Sequence, residues 1–186
     1  SFPTRRSSDL MKDLVPSMGS MIHRASFPPS WTPNSSPKIP SSGKASAKRS
    51  RMNISVSRAG TVRGVHFAQV PPGQAKYVQC LDGRILDIVV DIRVGSPSFG
   101  QWDAVELSAD ARNGLYLAEG LGHAFCALTE SATVGYLCSE PYAPKHEHGI
   151  TPVDPALSLP WPSDIELLLS PKDEAAPTLA EALEQG

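Results

Sequence analysis

The chain has 186 residues, 40% of them apolar and 19% charged, with 18 prolines, 14 glycines and a net charge of -2. That size fits one domain burying roughly 70% of its unfolded surface, and the near-neutral balance excludes wholesale electrostatic coating of nucleic acid. No run of about 18 apolar residues is present, so no membrane-spanning helix is expected. The opening residues lack the basic-then-apolar order of a secretory signal. Cys80, Cys126 and Cys138 make an odd count, each with apolar neighbours at alternating positions. They read as buried free thiols of a reducing, cytoplasmic protein rather than as a disulfide framework.

Residues 1–51 hold 13 Ser and 7 Pro, with 9 basic residues against 2 acidic ones. Segments such as Phe27-Pro28-Pro29-Ser30-Trp31-Thr32-Pro33 keep neither a helical nor a strand period. Such a composition buries too little apolar surface to offset ordering entropy, so 1–51 reads as disordered in preference to a basic binding arm. Its first ten residues, Ser1 to Leu10, resemble a translated sequencing adapter, which makes a non-native start the further expectation. The folded domain is expected to span 52–186.

From Met52 the texture changes. Gly60–Phe67 is a β-branched run bounded by turn residues, and 75–81 and 84–92 flank Asp82-Gly83, which predicts a two-residue hairpin. In the second arm Leu86, Ile88, Val90 and Ile92 share one face, with Asp87, Asp91 and Arg93 on the other. Further strands are expected at Trp102–Leu107, Gly114–Leu117, His123–Leu128 and Thr133–Cys138. Short strands between turn clusters predict an all-β sandwich or jelly roll rather than βα units. Near the C-terminus, Thr178 with Glu181 forms a capping-box pattern ahead of a helix over Leu179–Leu183.

The chain has no P-loop, no G-x-G-x-x-G after a strand and no C-x-x-C. The polar residues that stand out are set into apolar strands: His66, Lys76, His123 and Tyr136. Any one of them is a plausible structural residue. Converging inside a small barrel, they would line a pocket walled against water, where His titrates near neutrality and Lys or Tyr meets developing negative charge. Period-2 alternation puts Arg63 and His66 on opposite faces, so sharing a pocket requires a bulge, expected at Gly64. His146-Glu147-His148 offers three potential metal ligands in a row, but a loop this polar reads as solvated surface. The strand at His66 gives His-Phe-Ala-Gln and not a His-x-His pair, so a metal-free site is expected.

Arg63-Gly64-Val65-His66-Phe67, Gln74-Ala75-Lys76, Asp91–Gly100 and Glu119–Phe125 resemble the nucleotide-diphospho-4-keto-6-deoxyhexose epimerases, represented by dTDP-4-dehydrorhamnose 3,5-epimerase. Tyr136-Leu137-Cys138, Tyr142-Ala143-Pro144, Asp154-Pro155, Trp161-Pro162 and Ser170-Pro171-Lys172-Asp173 continue the resemblance in order, over about Met52 to Asp173. The resemblance implies a cupin-type jelly roll, a homodimer, and catalysis without metal or cofactor. It also implies a dTDP-4-keto-6-deoxyhexose substrate, with no nucleic-acid or membrane partner. His66 would be the general base at C3 or C5, made more basic by Asp173. Lys76 would stabilise the C4 oxyanion, and Tyr136 would return a proton from the opposite face. Arg63 and Asn53 would contact the diphosphate-sugar portion, Tyr142 the nucleotide side, and His123 and Glu147 would shape the substrate pocket. The family's N-terminal block has no counterpart in 1–51, and Arg51 stands where the family commonly has Gln; both imply weakened substrate binding and dimerisation. The competing expectations are a metal-dependent cupin enzyme and an inactive sugar-nucleotide-binding jelly roll.

Overall fold

In a computed structural model, the structure describes residues 22–26 and 51–185. Among these residues, ten strands form two five-stranded sheets with antiparallel pairing between neighbours. The first sheet runs in the order β1 (Ile22–Ser26), β7 (Asn113–Leu117), β4 (Lys76–Asp82), β9 (Ser131–Cys138), β2 (Arg51–Arg58). The second runs β10 (Glu147–Gly149), β3 (Val62–Ala68), β8 (Leu121–Ala127), β5 (Arg84–Asp91), β6 (Trp102–Ser108). Two short helices follow, α1 (Pro171–Glu174) and α2 (Leu179–Gln185). This is the expected jelly roll.

Alternation places the core. Val78 and Cys80 from β4, Leu115 and Leu117 from β7, and Ala132 and Val134 from β9 point between the sheets. They meet Ile85 and Val89 of β5, Leu107 of β6 and Phe125 of β8. The outer face of the second sheet is covered too. Ile88, Val90 and Ala124 pack under Ile150 and Leu157, with Trp161 and Leu179 closing over them. The second sheet is therefore covered on both faces; Asp87 and Asp91 of β5 lie on its inner side with Ile85 and Val89 and are fully buried.

Three expectations are corrected. Asp82-Gly83 is not a hairpin turn, because β4 and β5 lie in different sheets. Gly83 has φ +73, and a Cβ there would stand 2.3 Å from the Ser131 carbonyl oxygen. The glycine makes a corner where the chain switches sheets, since both arms carry core residues that need opposite walls of the sandwich. The second correction concerns the N-terminal segment. Ile22–Ser26 forms β1, paired with β7 from Ile22↔Leu117 to Ser26↔Asn113, so these five residues are strand and not disorder. The rest of 1–50, with the adapter-like start, lies outside the described residues. Third, the strand after the expected boundary begins at Arg51, one residue earlier.

The C-terminal cap forms as the pattern predicts. The Thr178 hydroxyl accepts from the Glu181 amide at 3.2 Å, and the Glu181 carboxylate accepts from the Thr178 amide at 2.8 Å. α2 is not simply a solvated helix, because Leu179 and Ala182 pack on the outer core. Cys80, Cys126 and Cys138 are free and buried.

Candidate active site

At one end of the sandwich the inward rows turn from apolar to polar. On β4 the row Cys80, Val78 ends at Lys76; on β9 the row Ala132, Val134 ends at Tyr136 and Cys138. On β8, Phe125 is followed by His123. Pairing aligns these positions, with Val78 and Asn53 both opposite Tyr136, and Lys76 and Arg51 both opposite Cys138. The result is a cavity of about 420 Å³. Its lining includes Asn53, Arg63, His66, Lys76, His123 and Tyr136, with Tyr142 and Glu147 on its loop side.

The expected bulge is what admits both Arg63 and His66. The β3–β8 register shifts between them, from Arg63↔Phe125 to His66↔His123. Gly64 adopts φ +127, and a Cβ on it would lie 2.5 Å from the His123 carbonyl oxygen. Only glycine fits this close approach without displacing β8.

His66 Nε2 lies 2.7 Å from Asp173 Oδ1. The imidazole is 36% exposed toward the cavity side, whereas the carboxylate behind it is 5% exposed. Asp173 therefore does not line the cavity but backs the residue that does. Burial alone would raise the Asp173 carboxyl; hydrogen bonds from His66 and Ser170 outweigh this and hold it below its ordinary value. A second pair lies alongside, with His123 Nε2 3.0 and 3.1 Å from the two oxygens of buried Asp87.

Burial lowers the Lys76 ammonium below its ordinary value of 10.5, opposed by the nearby Cys138, Glu147 and Asp87. Burial also raises the Tyr136 phenol and the Cys138 thiol above their ordinary values. The phenol thus stays protonated across the neutral range. Arg63, which lines the cavity, donates from Nε to Ser57 Oγ at 3.2 Å. Asn53 Nδ2 donates weakly to Cys138 Sγ at 3.7 Å. Glu147 accepts from the Ala143 amide at 3.2 Å, and Tyr142 is exposed.

All nine expected site residues are thus gathered in or directly behind one cavity. His146 and His148 do not join them, and the His148 ring packs against Phe67. Among the described residues no group of three His, Cys, Asp or Glu side chains is arranged to hold a metal ion. The sequence reading missed Asp87, Ser55, Gln74, Cys138 and Glu140. The strict alternation Met52, Asn53, Ile54, Ser55, Val56, Ser57 was a strand signal that places Asn53 and Ser55 on one wall.

A jelly roll whose inward rows end in a carboxylate-backed imidazole, a buried ammonium and a protonated phenol has the parts of an acid–base isomerase. A model of the family described as dTDP-4-dehydrorhamnose 3,5-epimerase matches residues 23–181, reaching into the segment where the motifs alone showed nothing comparable. The chain belongs to this family. It is 59% identical over 134 residues to a dTDP-4-dehydrorhamnose 3,5-epimerase of Mycolicibacterium smegmatis, covering 72% of this chain and 66% of the relative. It is 53% identical over 132 residues to a dTDP-4-dehydro-6-deoxyglucose 3-epimerase of Streptomyces bikiniensis, covering 71% and 67%. Among solved structures it is similar to NovW, a 4-keto-6-deoxy sugar epimerase from the novobiocin cluster of Streptomyces spheroides. That match has TM-score 0.71 and 51% identity, over 73% of this chain and 68% of the other. ChmJ, a 3'-monoepimerase of Streptomyces bikiniensis in complex with dTDP-quinovose, gives TM-score 0.71 and 52% identity over 73% and 69%. The chain thus spans about two thirds of the length of the relatives it matches.

Proposed function

We propose that the protein epimerises a dTDP-4-keto-6-deoxyhexose at C3, C5 or both, in deoxysugar biosynthesis. The observation that carries this reading is the 2.7 Å contact between His66 and Asp173 at the edge of a cavity that also holds Lys76 and Tyr136. A C–H beside a ketone is removable when the resulting enolate is stabilised. His66 takes that proton, and the bonding pair moves through the α-carbon to the C4 oxygen. Asp173 holds the imidazole and stabilises the imidazolium that forms. Lys76 faces the oxyanion, a contribution of roughly 3 kcal/mol for a well-placed donor in comparable sites. Tyr136 then gives its phenolic proton to the opposite face of the carbon, inverting it. Solvent resets the imidazolium and phenolate. No step requires an oxidant or a leaving group.

Arg63 and Asn53 bind the diphosphate-sugar portion, with a guanidinium suited to bidentate phosphate contact. Tyr142 lies toward the nucleotide, and His123 and Glu147 shape the pocket. We further infer a homodimer acting in the cytoplasm, where Cys80, Cys126 and Cys138 stay reduced. The dimer is supported by β2, which ends the first sheet and exposes Met52 (59%), Ile54 (62%) and Val56 (65%) on its outer side.

Solvent-deuterium exchange tests the chemistry. With dTDP-4-keto-6-deoxyglucose in D₂O, the wild type should label C3, C5 or both, and trapping with a stereospecific 4-ketoreductase followed by NMR identifies the inverted centre. His66→Ala should abolish labelling, a loss of at least about 10²-fold for a general base. Tyr136→Phe should label without inverting. Labelling that survives His66→Ala at the wild-type rate overturns the assignment, and substrate binding without exchange supports an inactive binding protein.

A further inference from the structure

Asp173 uses both carboxylate oxygens, and only one of them faces the imidazole. Oδ1 meets His66 Nε2 at 2.7 Å; Oδ2 lies 2.9 Å from Ser170 Oγ. The polarity of the second bond is fixed by elimination. An ionised carboxylate only accepts, and Ser170 Oγ already accepts the Asp173 amide at 3.1 Å. The serine hydroxyl proton therefore points at Oδ2.

Ser170 is itself anchored to the strand that carries the imidazole. Two residues earlier, Leu168 donates to the Gly60 carbonyl at 2.8 Å and its own carbonyl accepts from Val62 at 3.0 Å, at the start of β3. On the other side, the Ser170 carbonyl accepts from Glu174 at 2.9 Å. The hydroxyl thus transmits the position of β3 to the carboxylate, and the carboxylate returns it to His66 on the same strand. We propose that Ser170 is a positioning residue for the reaction, the third member of a His66–Asp173–Ser170 relay. It clamps the carboxylate plane so that Oδ1 stays on the imidazole through proton abstraction. The inference rests on the epimerase reading above and extends it to a residue that touches neither substrate nor imidazole.

Ser170 is also the N-cap of α1, so capping and clamping must be separated. Gly is tolerated at an N-cap and Ala is not, but neither can donate to Oδ2, so a loss common to both is not a capping loss. In the clamping role, Ser170→Gly and Ser170→Ala each lower kcat about tenfold with KM unchanged, the scale of a lost supporting hydrogen bond. Ser170→Thr, which keeps the hydroxyl, restores the rate. The downfield imidazole N–H resonance of His66 bonded to Asp173, read by NMR in the unliganded protein, moves or broadens in Ser170→Gly and returns in Ser170→Thr. Wild-type kcat and a wild-type His66 N–H resonance in Ser170→Ala and Ser170→Gly, whatever their melting temperatures, overturn the proposal, as does an equal loss in Ser170→Thr. Should Ser170→Gly fail to fold, the Ala and Thr variants carry the comparison. A wild type that never exchanges deuterium refutes the epimerase reading instead, while the NMR readout still decides the clamp.

Discussion

The ammonium of Lys76 stands in the same inward row as Val78 and Cys80, and burial is the leading cause of its lowered pKa. Oxyanion stabilisation needs the cation, so activity should fall as pH rises through that lowered value, giving an alkaline limb below 10.5. Tyr136 moves the other way and stays protonated longer, so it does not produce that limb. In Lys76→Arg the limb should vanish from the kcat profile, because a guanidinium does not titrate there. The limb persisting unchanged in that variant would assign it to another group. Asp91 gives a residue-scale test of stability rather than rate. It is fully buried and accepts from Arg93 Nε at 2.9 Å and Nη2 at 2.8 Å, and from both Ser96 and Ser98 at 2.6 Å. Burial would raise its carboxyl, but these donors outweigh burial and hold it well below the ordinary 3.8. A depressed native pKa contributes stability that is complete above the ordinary value and is lost as pH falls toward the native one. Asp91→Asn should therefore cost about 3 kcal/mol at neutral pH, with the difference from wild type narrowing in acid melts.

At the scale of elements, β3 carries the most demanding geometry. Gly64→Ala places a methyl against Ala124 and the His123 carbonyl at a φ of +127. The expected cost is roughly 3 kcal/mol or more, with loss of the bulge and of activity; calorimetry and deuterium exchange would report both. Several features were legible before the fold was known. Alternation in β5, β8 and β9 located the strands, and the parity conflict between Arg63 and His66 demanded the bulge that β3 contains. The Asp82-Gly83 corner was misread because a left-handed glycine serves a hairpin and a sheet switch equally well. Only the packing of Val78 and Cys80 against Ile85 and Val89 decides between them. Asp87 was seen as the polar face of β5, but that face, with Ile85 and Val89, turns inward between the sheets, where Asp87 meets His123. Its burial is set by the packing of one sheet on the other, which local pattern does not reveal.

For the whole molecule, the first sheet leaves Met52, Ile54 and Val56 uncovered along a terminal strand whose other side, through Asn53 and Ser55, forms a cavity wall. If a second copy seats there, light scattering should give twice the chain mass. Ile54→Asp should shift the mass toward one chain and weaken substrate binding along with it, whereas a wild-type mass equal to one chain would remove the homodimer. The pairing of His66 with Asp173 joins positions 107 residues apart. During synthesis, every strand of both sheets leaves the ribosome before that carboxylate does. The segment that brings the carboxylate also carries Leu157, Trp161 and Leu179, which close over the second sheet. The ion pair and the outer core are thus completed together by the last-made part of the chain.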